Sequence, residues 1–498
     1  MGKLHAYKQL IQRMKNIKHY EGIYSLLAWD VKTYMPDSGI MQRSEELGLI
    51  SKRVHELFTS KETGNLLKEA KKTDDLNLFQ ERNLELIERD YKRETKIPTD
   101  LVEKISKHES HTEHLWEKAK AKSNFEMIKN DLQKMIELKR EKATAINPDK
   151  DPYDILLDLY EPNITQKDIT TYFTDLKEGV IKLVHRCSEC QDQPDLTVLK
   201  THVSNETQKK ISSYIIKFVG LDPKRSRIDE SEHPFTTGYG DDVRITTHYL
   251  NNDPMGSFYS VLHEAGHALY ELDLPREHFL TPIGNAVSFG IHESQSRFIE
   301  NIIGKGDAFL SRTFPLLQSW IPAFENISYN SFLKAVNAVI PSKIRIYADE
   351  VTYNLHIILR FEIERDIFAG KCSIDELPEV WNQKMAKYLD QDIQEDKNGV
   401  LQDTHWYGGA FGYFPAYALG NIYDGQFLQK MEQDIPEWED KIKNKDEKEI
   451  LDWLKYNIHE KGFLYDPRDL LENVTSEKPN AKYFVEYLNK KFKKIYKF

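Results

Sequence analysis

Phe258-Tyr-Ser-Val-Leu-His263-Glu264-Ala-Gly-His267-Ala-Leu-Tyr-Glu-Leu272 is the stretch that decides how this chain of 498 residues is read. Val261, Leu262, Ala265, Ala268 and Leu269 make it a largely apolar helix around two histidines and a glutamate. A helix turns once in about 3.6 residues, so His263 and His267 lie on one face, one turn apart, and can share a metal ion. Glu264 is rotated by roughly 100° and reaches a water beside the metal rather than the metal itself. Gly266 is a poor helix former, and its presence predicts the close approach of another segment. A half-buried helix carrying His-Glu-His needs a polar partner for those groups. The H-E-x-x-H spacing points to zinc, although it also arises by chance in long chains.

A catalytic zinc takes three protein ligands and keeps one position open. Downstream, Ile291-His292-Glu293-Ser294-Gln295-Ser296-Arg297 opens a second helical run into Phe298-Ile299-Glu300-Asn301-Ile302. Glu293 follows His267 by 26 positions, room enough for a loop and a returning antiparallel helix. His292 competes with it for the third place. Two imidazoles and one carboxylate leave a net positive site, which polarises a peptide carbonyl and lowers the pKa of bound water toward about 7. Glu264 then suits the task of taking the water's proton and passing it to a leaving amine.

The rest of the chain reads as mostly helical. Apolar residues recur at three- and four-residue spacing over residues 4–27 and 75–90. Residues 98–145 are highly charged, with a sparse apolar stripe through Leu101, Ile105, Leu115, Trp116, Leu132 and Ile136, the pattern of long amphipathic helices. Pro36, Pro98 and Pro148 mark helix boundaries. One region breaks the pattern. His233-Pro-Phe-Thr-Thr-Gly-Tyr-Gly240 is turn-rich, and the β-branched Asp242-Val-Arg-Ile-Thr-Thr-His-Tyr-Leu250 follows it, so a short strand pair is expected just ahead of the metal helix. The edge of such a sheet can pair with an extended peptide. No repeat or low-complexity linker divides the chain, which predicts one large helical body.

Composition narrows the function classes. Forty per cent of residues are apolar, enough for a substantial core, and the net charge of −11 argues against a nucleic-acid partner. The basic residues between 490 and 497 read as the solvated side of a terminal helix. Cys187, Cys190 and Cys372 form no disulfide framework, and the single C-x-x-C lacks the second pair of a zinc knuckle, so free thiols are expected. The N-terminus has no secretory h-region, and Ala6 breaks the myristoylation pattern after Gly2. No apolar run approaches the ~18–20 residues of a membrane span. A cytoplasmic protein without a membrane partner is expected.

Six motifs, in order, resemble those of the thermostable (Taq-type) metallocarboxypeptidase family. His233-Pro-Phe235 matches HPF, and Asp242-Val-Arg244-Ile-Thr246 matches DxRxT. His263 to His267 fits HExxH, and His292-Glu-Ser-Gln295 fits HESQ. Ile344-Arg345-Ile-Tyr-Ala348-Asp349 fits IRxxAD, and Gly399-Val-Leu-Gln402-Asp403-Thr-His405-Trp406 fits GxxQDxHW. Trp29-Asp30 through Met35-Pro36 is also similar to the family. The resemblance runs nearly end to end and implies a mostly α fold. In it a single domain over residues 1–498 surrounds a deep active-site groove beside the small sheet, with helices of 1–150 flanking the groove and the catalytic core at 230–420. It implies that Glu293 rather than His292 is the third ligand, with zinc or cobalt as the metal. It further implies removal of single residues from free peptide C-termini with broad preference, by a cytoplasmic homodimer.

A carboxypeptidase must recognise a terminal carboxylate, and arginine suits that bidentate task. The family motif centres on Arg345, which is therefore expected to be the clamp. Arg244 is the other candidate, unless it holds Asp242 or a backbone carbonyl. His405 is placed to donate to a substrate carbonyl or carboxylate. By analogy with related helical zinc peptidases a nearby tyrosine shares this task, Tyr413 in preference to Tyr417. Gln402 and Asp403 are expected beside the substrate backbone or behind the site. His233 and His248 read as structural. Two rivals remain: an oligopeptidase with the same zinc residues but no carboxylate clamp, and a non-catalytic peptide binder, which the presence of Glu264 and three ligands disfavours.

Overall fold

The computed structural model describes residues 2–498, so the N-terminal pattern read from Met1 lies partly outside them. The helix α1 (Gly2–Thr33) stops just before Pro36. Pro98 immediately precedes the helix Thr99–Lys122, and Pro148 follows Lys129–Ile146, because the residue before a proline is driven out of helical geometry. The fold is mostly α, as expected. The apolar stripes of the N-terminal helices close a small core of their own, with Tyr7, Leu10, Met14, Leu67, Leu84 and Ile87. A much larger core runs from Leu86 to Tyr496.

The sheet has three strands rather than the expected pair: β1 (Ser226–Glu230), β2 (Thr236–Tyr239) and β3 (Asp242–Thr247). Their order is β1-β3-β2, with β1 parallel and β2 antiparallel to β3. β1 was illegible because Ser-Arg-Ile-Asp-Glu does not alternate, and its buried residue is Asp229. The sheet is tied to α1 through charge and aromatics. Trp29 lies between the guanidiniums of Arg227 and Arg244, 5.3 and 4.3 Å from its ring, and the Tyr34 hydroxyl donates to Asp229 at 2.5 Å. The Thr246 hydroxyl accepts the Phe235 amide at 3.0 Å, which joins the HPF turn to β3.

Two helices then pack at unusually short range. α2 (Pro254–Asp273) carries the His-Glu-His motif, and α3 (Phe289–Arg297) carries Glu293. A Cβ on Gly266 would stand 2.6 Å from the Gln295 carbonyl oxygen of α3. On the other side of α3, a Cβ on Gly420 would stand 2.9 Å from the Ser294 amide nitrogen. The short α3 is thus wedged by glycines between α2 and the later helix Pro415–Asp434. It continues directly into a π-helical turn, Phe298–Ile303.

After the Arg345 motif the chain turns before it enters α4 (Tyr353–Phe368). The Asp349 carboxylate accepts the amides of Val351 and Thr352 at 2.9 Å and of Ile340 at 3.0 Å, and this turn delays the helix. The basic C-terminal helix Lys482–Tyr496 buries Phe484, Leu488, Phe492 and Ile495 and leaves most of its lysines to solvent. Lys491 is the exception, buried against Glu350 at 2.6 Å. The three cysteines are free thiols. Among the described residues no helix is long and apolar enough to cross a membrane.

Candidate active site

α2 is started by Asp253, whose carboxylate accepts the Gly256 amide at 3.1 Å, with Pro254 in the first turn. His263 and His267 follow on one face, and α3 brings Glu293 opposite them. One ligand atom from each of the three lies within 4.8 Å of the others. Glu293 Oε2 is 3.5 Å from His267 Nε2 and 3.7 Å from His263 Nε2. His292, the competitor, points elsewhere. Its Nδ1 meets His267 Nδ1 at 2.6 Å and its Nε2 meets Glu271 at 2.9 Å.

Outer partners hold this trio. His263 Nδ1 lies 2.9 Å from Glu300 Oε2, on the π-helical turn. Arg297 donates to Glu293 Oε1 at 2.7 Å and lies against the Tyr353 ring. Burial alone would raise the Glu293 carboxyl, but Arg297 and the two imidazoles outweigh it and hold it below the usual carboxylate range. Burial, reinforced by His292, pushes His267 down to about 3, so its imidazole is neutral, as a metal ligand must be. Two imidazole nitrogens and a charged carboxylate, each braced from behind, are a donor set that fits a divalent metal of the zinc type. Glu300 and Arg297 were missed in the sequence. The available signal was the seven-residue step from Glu293 to Glu300, which returns a side chain to nearly the same helix face.

Glu264 is buried beside the trio, and burial raises its carboxyl. The Thr236 hydroxyl of β2 donates to its Oε2 at 2.5 Å. Both line a cavity of about 730 Å³ with His263, His267, Glu293 and the half-buried Tyr413 and Tyr417. A second cavity of about 610 Å³ shares Glu271, Ala286 and Phe289 with it and follows β2 to Tyr239 and Arg276. Together they form a groove along the edge strand.

The other expected residues stand behind this groove. His405 Nε2 lies 3.2 Å from the Tyr417 hydroxyl, and burial, with Arg345 and Arg360 nearby, pushes its imidazole down to about 4. Arg345 is buried, bound to Asp403 at 2.9 Å and to the Tyr353 hydroxyl at 3.1 Å. Arg360 binds the same Asp403 at 2.5 Å. Both ends of the Gln402 amide are engaged internally: its oxygen accepts from Arg345 N and Arg360 Nη2, and its nitrogen donates to the carbonyls of Lys343 and Asn398. It braces the Arg345 turn instead of meeting the groove. Arg244 grips Asp242 through two bonds, of 2.8 and 2.9 Å, and stacks on Trp29, away from the groove. His233 is exposed, and His248 bonds the Glu232 carbonyl.

Fold and site together define a helical metallopeptidase. The carboxypeptidase Taq (M32) metallopeptidase family matches residues 9–492. Carboxypeptidase 1 of Bacillus subtilis (strain 168) is 37% identical over 499 residues, covering 99% of each chain. Thermostable carboxypeptidase 1 of Thermus thermophilus is 36% identical over 507 residues, again covering 99% of each. The crystal structure of the M32 carboxypeptidase from Deinococcus radiodurans R1 superimposes with a TM-score of 0.97 at 32% identity, covering 99% of this chain and 100% of that one. The chain belongs to the M32 metallopeptidase family. It is a peptide hydrolase, and the family implies a divalent metal.

Proposed function

We propose that this enzyme removes single amino acids from the free C-terminus of peptides, with broad preference, using zinc or cobalt held by His263, His267 and Glu293. The carrying observation is the convergence of those three ligand atoms within 4.8 Å, on the wall of the groove that Glu264 also lines. A divalent metal bound there supplies Lewis-acid polarisation of the scissile carbonyl and acidifies the attacking water. Glu264, oriented by Thr236, takes the water's proton and delivers it to the leaving amine. Tyr413 and Tyr417 face the groove as donors to the charge that develops on the carbonyl oxygen, with His405 holding Tyr417.

The free edge of β2 aligns the peptide. The Phe235 carbonyl accepts the Thr246 amide at 2.9 Å, so by the alternation of an antiparallel ladder Thr236 and Gly238 turn their main-chain groups away from β3. Arg345 serves as the terminal-carboxylate clamp through its charge, exerted from the layer behind Tyr417. Two arginines share the single Asp403, which leaves one positive charge in excess behind Tyr417. Cytoplasmic location and a homodimer rest on the resemblance to the family, and the net charge of −11 supports the absence of a nucleic-acid partner.

The test is a mass-spectrometric time course on an unblocked peptide and its C-terminally amidated twin, each with and without a chelator. A ladder losing one residue at a time, absent with the twin and abolished by the chelator, is expected. Glu264→Gln should keep its metal and lose roughly 10²–10⁴-fold in turnover. Internal cuts in both peptides would make the enzyme an oligopeptidase and retire the Arg345 clamp.

A further inference from the structure

Glu364 on α4 is fully buried, and neither a lysine nor an arginine is within salt-bridge distance of it among the described residues. A lone carboxylate in such a place is costly unless donors surround it. Three do. The Trp406 indole N–H donates to Oε1 at 2.7 Å, the Gly412 amide to Oε2 at 2.8 Å, and the Tyr153 hydroxyl to Oε2 at 2.9 Å. The first two are donor-only groups, and each is met by one oxygen of the carboxyl, which burial pushes up to about 7 against these hydrogen bonds.

The placement of those donors matters more than their number. Trp406 is the residue after His405, and Gly412 is the residue before Tyr413. One carboxylate therefore grips both ends of the intervening loop and brings the two aromatic rings of its flanks together, 5.5 Å apart and stacked. Gly412 sits at φ +87, and a Cβ there would stand 2.8 Å from the Leu156 main chain, so the second grip point admits no side chain. His405 in turn supports Tyr417 at 3.2 Å.

We propose that Glu364 is a positioning residue for peptide hydrolysis: through Trp406 and Gly412 it sets where Tyr413 and, by way of His405, Tyr417 stand against the substrate carbonyl. This rests on the tyrosines serving as the donors assigned above. Donors displaced by about an ångström lose up to on the order of 10²-fold in rate while the metal ligands are untouched. Tyr153 bonds the same carboxylate from the helix Pro152–Asp158, outside the loop, and serves as the control.

The experiment compares Trp406→Phe, Tyr153→Phe and Glu364→Gln in the zinc-loaded enzyme, reading kcat, KM, bound metal and Tm. Trp406→Phe keeps an aromatic ring against Trp381 and removes the indole N–H with part of the ring, a packing loss that Tm reads separately. It should lower kcat by roughly 10–100-fold, with KM and metal content little changed. Glu364→Gln should do the same where it folds. Tyr153→Phe should lower Tm comparably and keep kcat. An unchanged kcat in Trp406→Phe, or an equal fall in Tyr153→Phe, would overturn the proposal, since stability alone would then explain the loss. The parent enzyme run beside them keeps the outcomes separable: failure to release single C-terminal residues there overturns the functional reading instead.

Discussion

Gly266→Ala sets two physical effects against each other with opposite signs. In a helix interior, alanine is favoured over glycine by about 1 kcal/mol. Gly266, however, faces α3, and the added Cβ would stand 2.6 Å from the Gln295 oxygen and 2.7 Å from Ser296 Cα. Both are main-chain atoms, so no rotamer change relieves the clash. Opening 2.6 Å to the 3.4 Å where ordinary contact begins moves α3 by about 0.8 Å. Overpacking of this kind costs about 1–3 kcal/mol, which exceeds the propensity gain. Gln295 and Ser296 lie two and three residues beyond Glu293, so the carboxylate moves with them, relative to both histidines on α2. Metal sites tolerate only about 0.2 Å in ligand distance. The expected result is a lower Tm and metal affinity weakened at least about tenfold, the scale seen when ligand support is lost. Chelator competition measures the affinity, and thermal unfolding of the metal-free form isolates the packing cost. A variant with raised Tm and unchanged affinity would show that propensity wins and that this contact does not place Glu293.

Glu300→Gln removes the charge behind His263 while keeping its volume, and should weaken metal binding by roughly 10–100-fold in the same competition assay; parent-like affinity would reduce Glu300 to a partner of Lys305 and Arg297. A pH effect is expected at Glu161, a buried carboxyl that accepts from the Gly290 amide of α3 and the Tyr423 hydroxyl. Burial pushes it up to about 7 from 4.5, against the opposing hydrogen bonds, so the folded protein binds its proton more tightly than the unfolded chain. Its contribution is therefore complete at low pH and is lost as pH rises from 4.5 through about 7, up to about 3 kcal/mol. Glu161→Gln, with the Tyr423 hydroxyl turned to accept, should melt above the parent beyond that window and alongside it below; parallel Tm curves across the window would count against this.

What was legible followed from short-range periodicity. The metal helix could be read because two ligands and the base lie within five residues, and helix geometry alone fixes their faces. The return of Glu293 was foreseeable as a loop and a reversal. The choice between it and His292 was not a matter of local sequence, because neighbours on a helix diverge by about 100° and docking decides which one turns inward. Docking here is set by absent side chains: Gly266 and Gly420 let α3 sink between two helices until Glu293 meets the imidazoles and His292 meets His267 and Glu271. The same limit explains the residues around the 405–417 loop. Their types suggested donors to a substrate, and Tyr413 and Tyr417 do line the groove. Gln402 and Arg345, with the half-buried His405, form a hydrogen-bonded layer behind them, and Arg244 is engaged by Asp242 and Trp29 away from the groove. A polar side chain that touches ligand and one that holds the toucher have the same composition and the same motif. Only the count of its internal partners separates them, and Gln402, with four, has none left to offer a substrate.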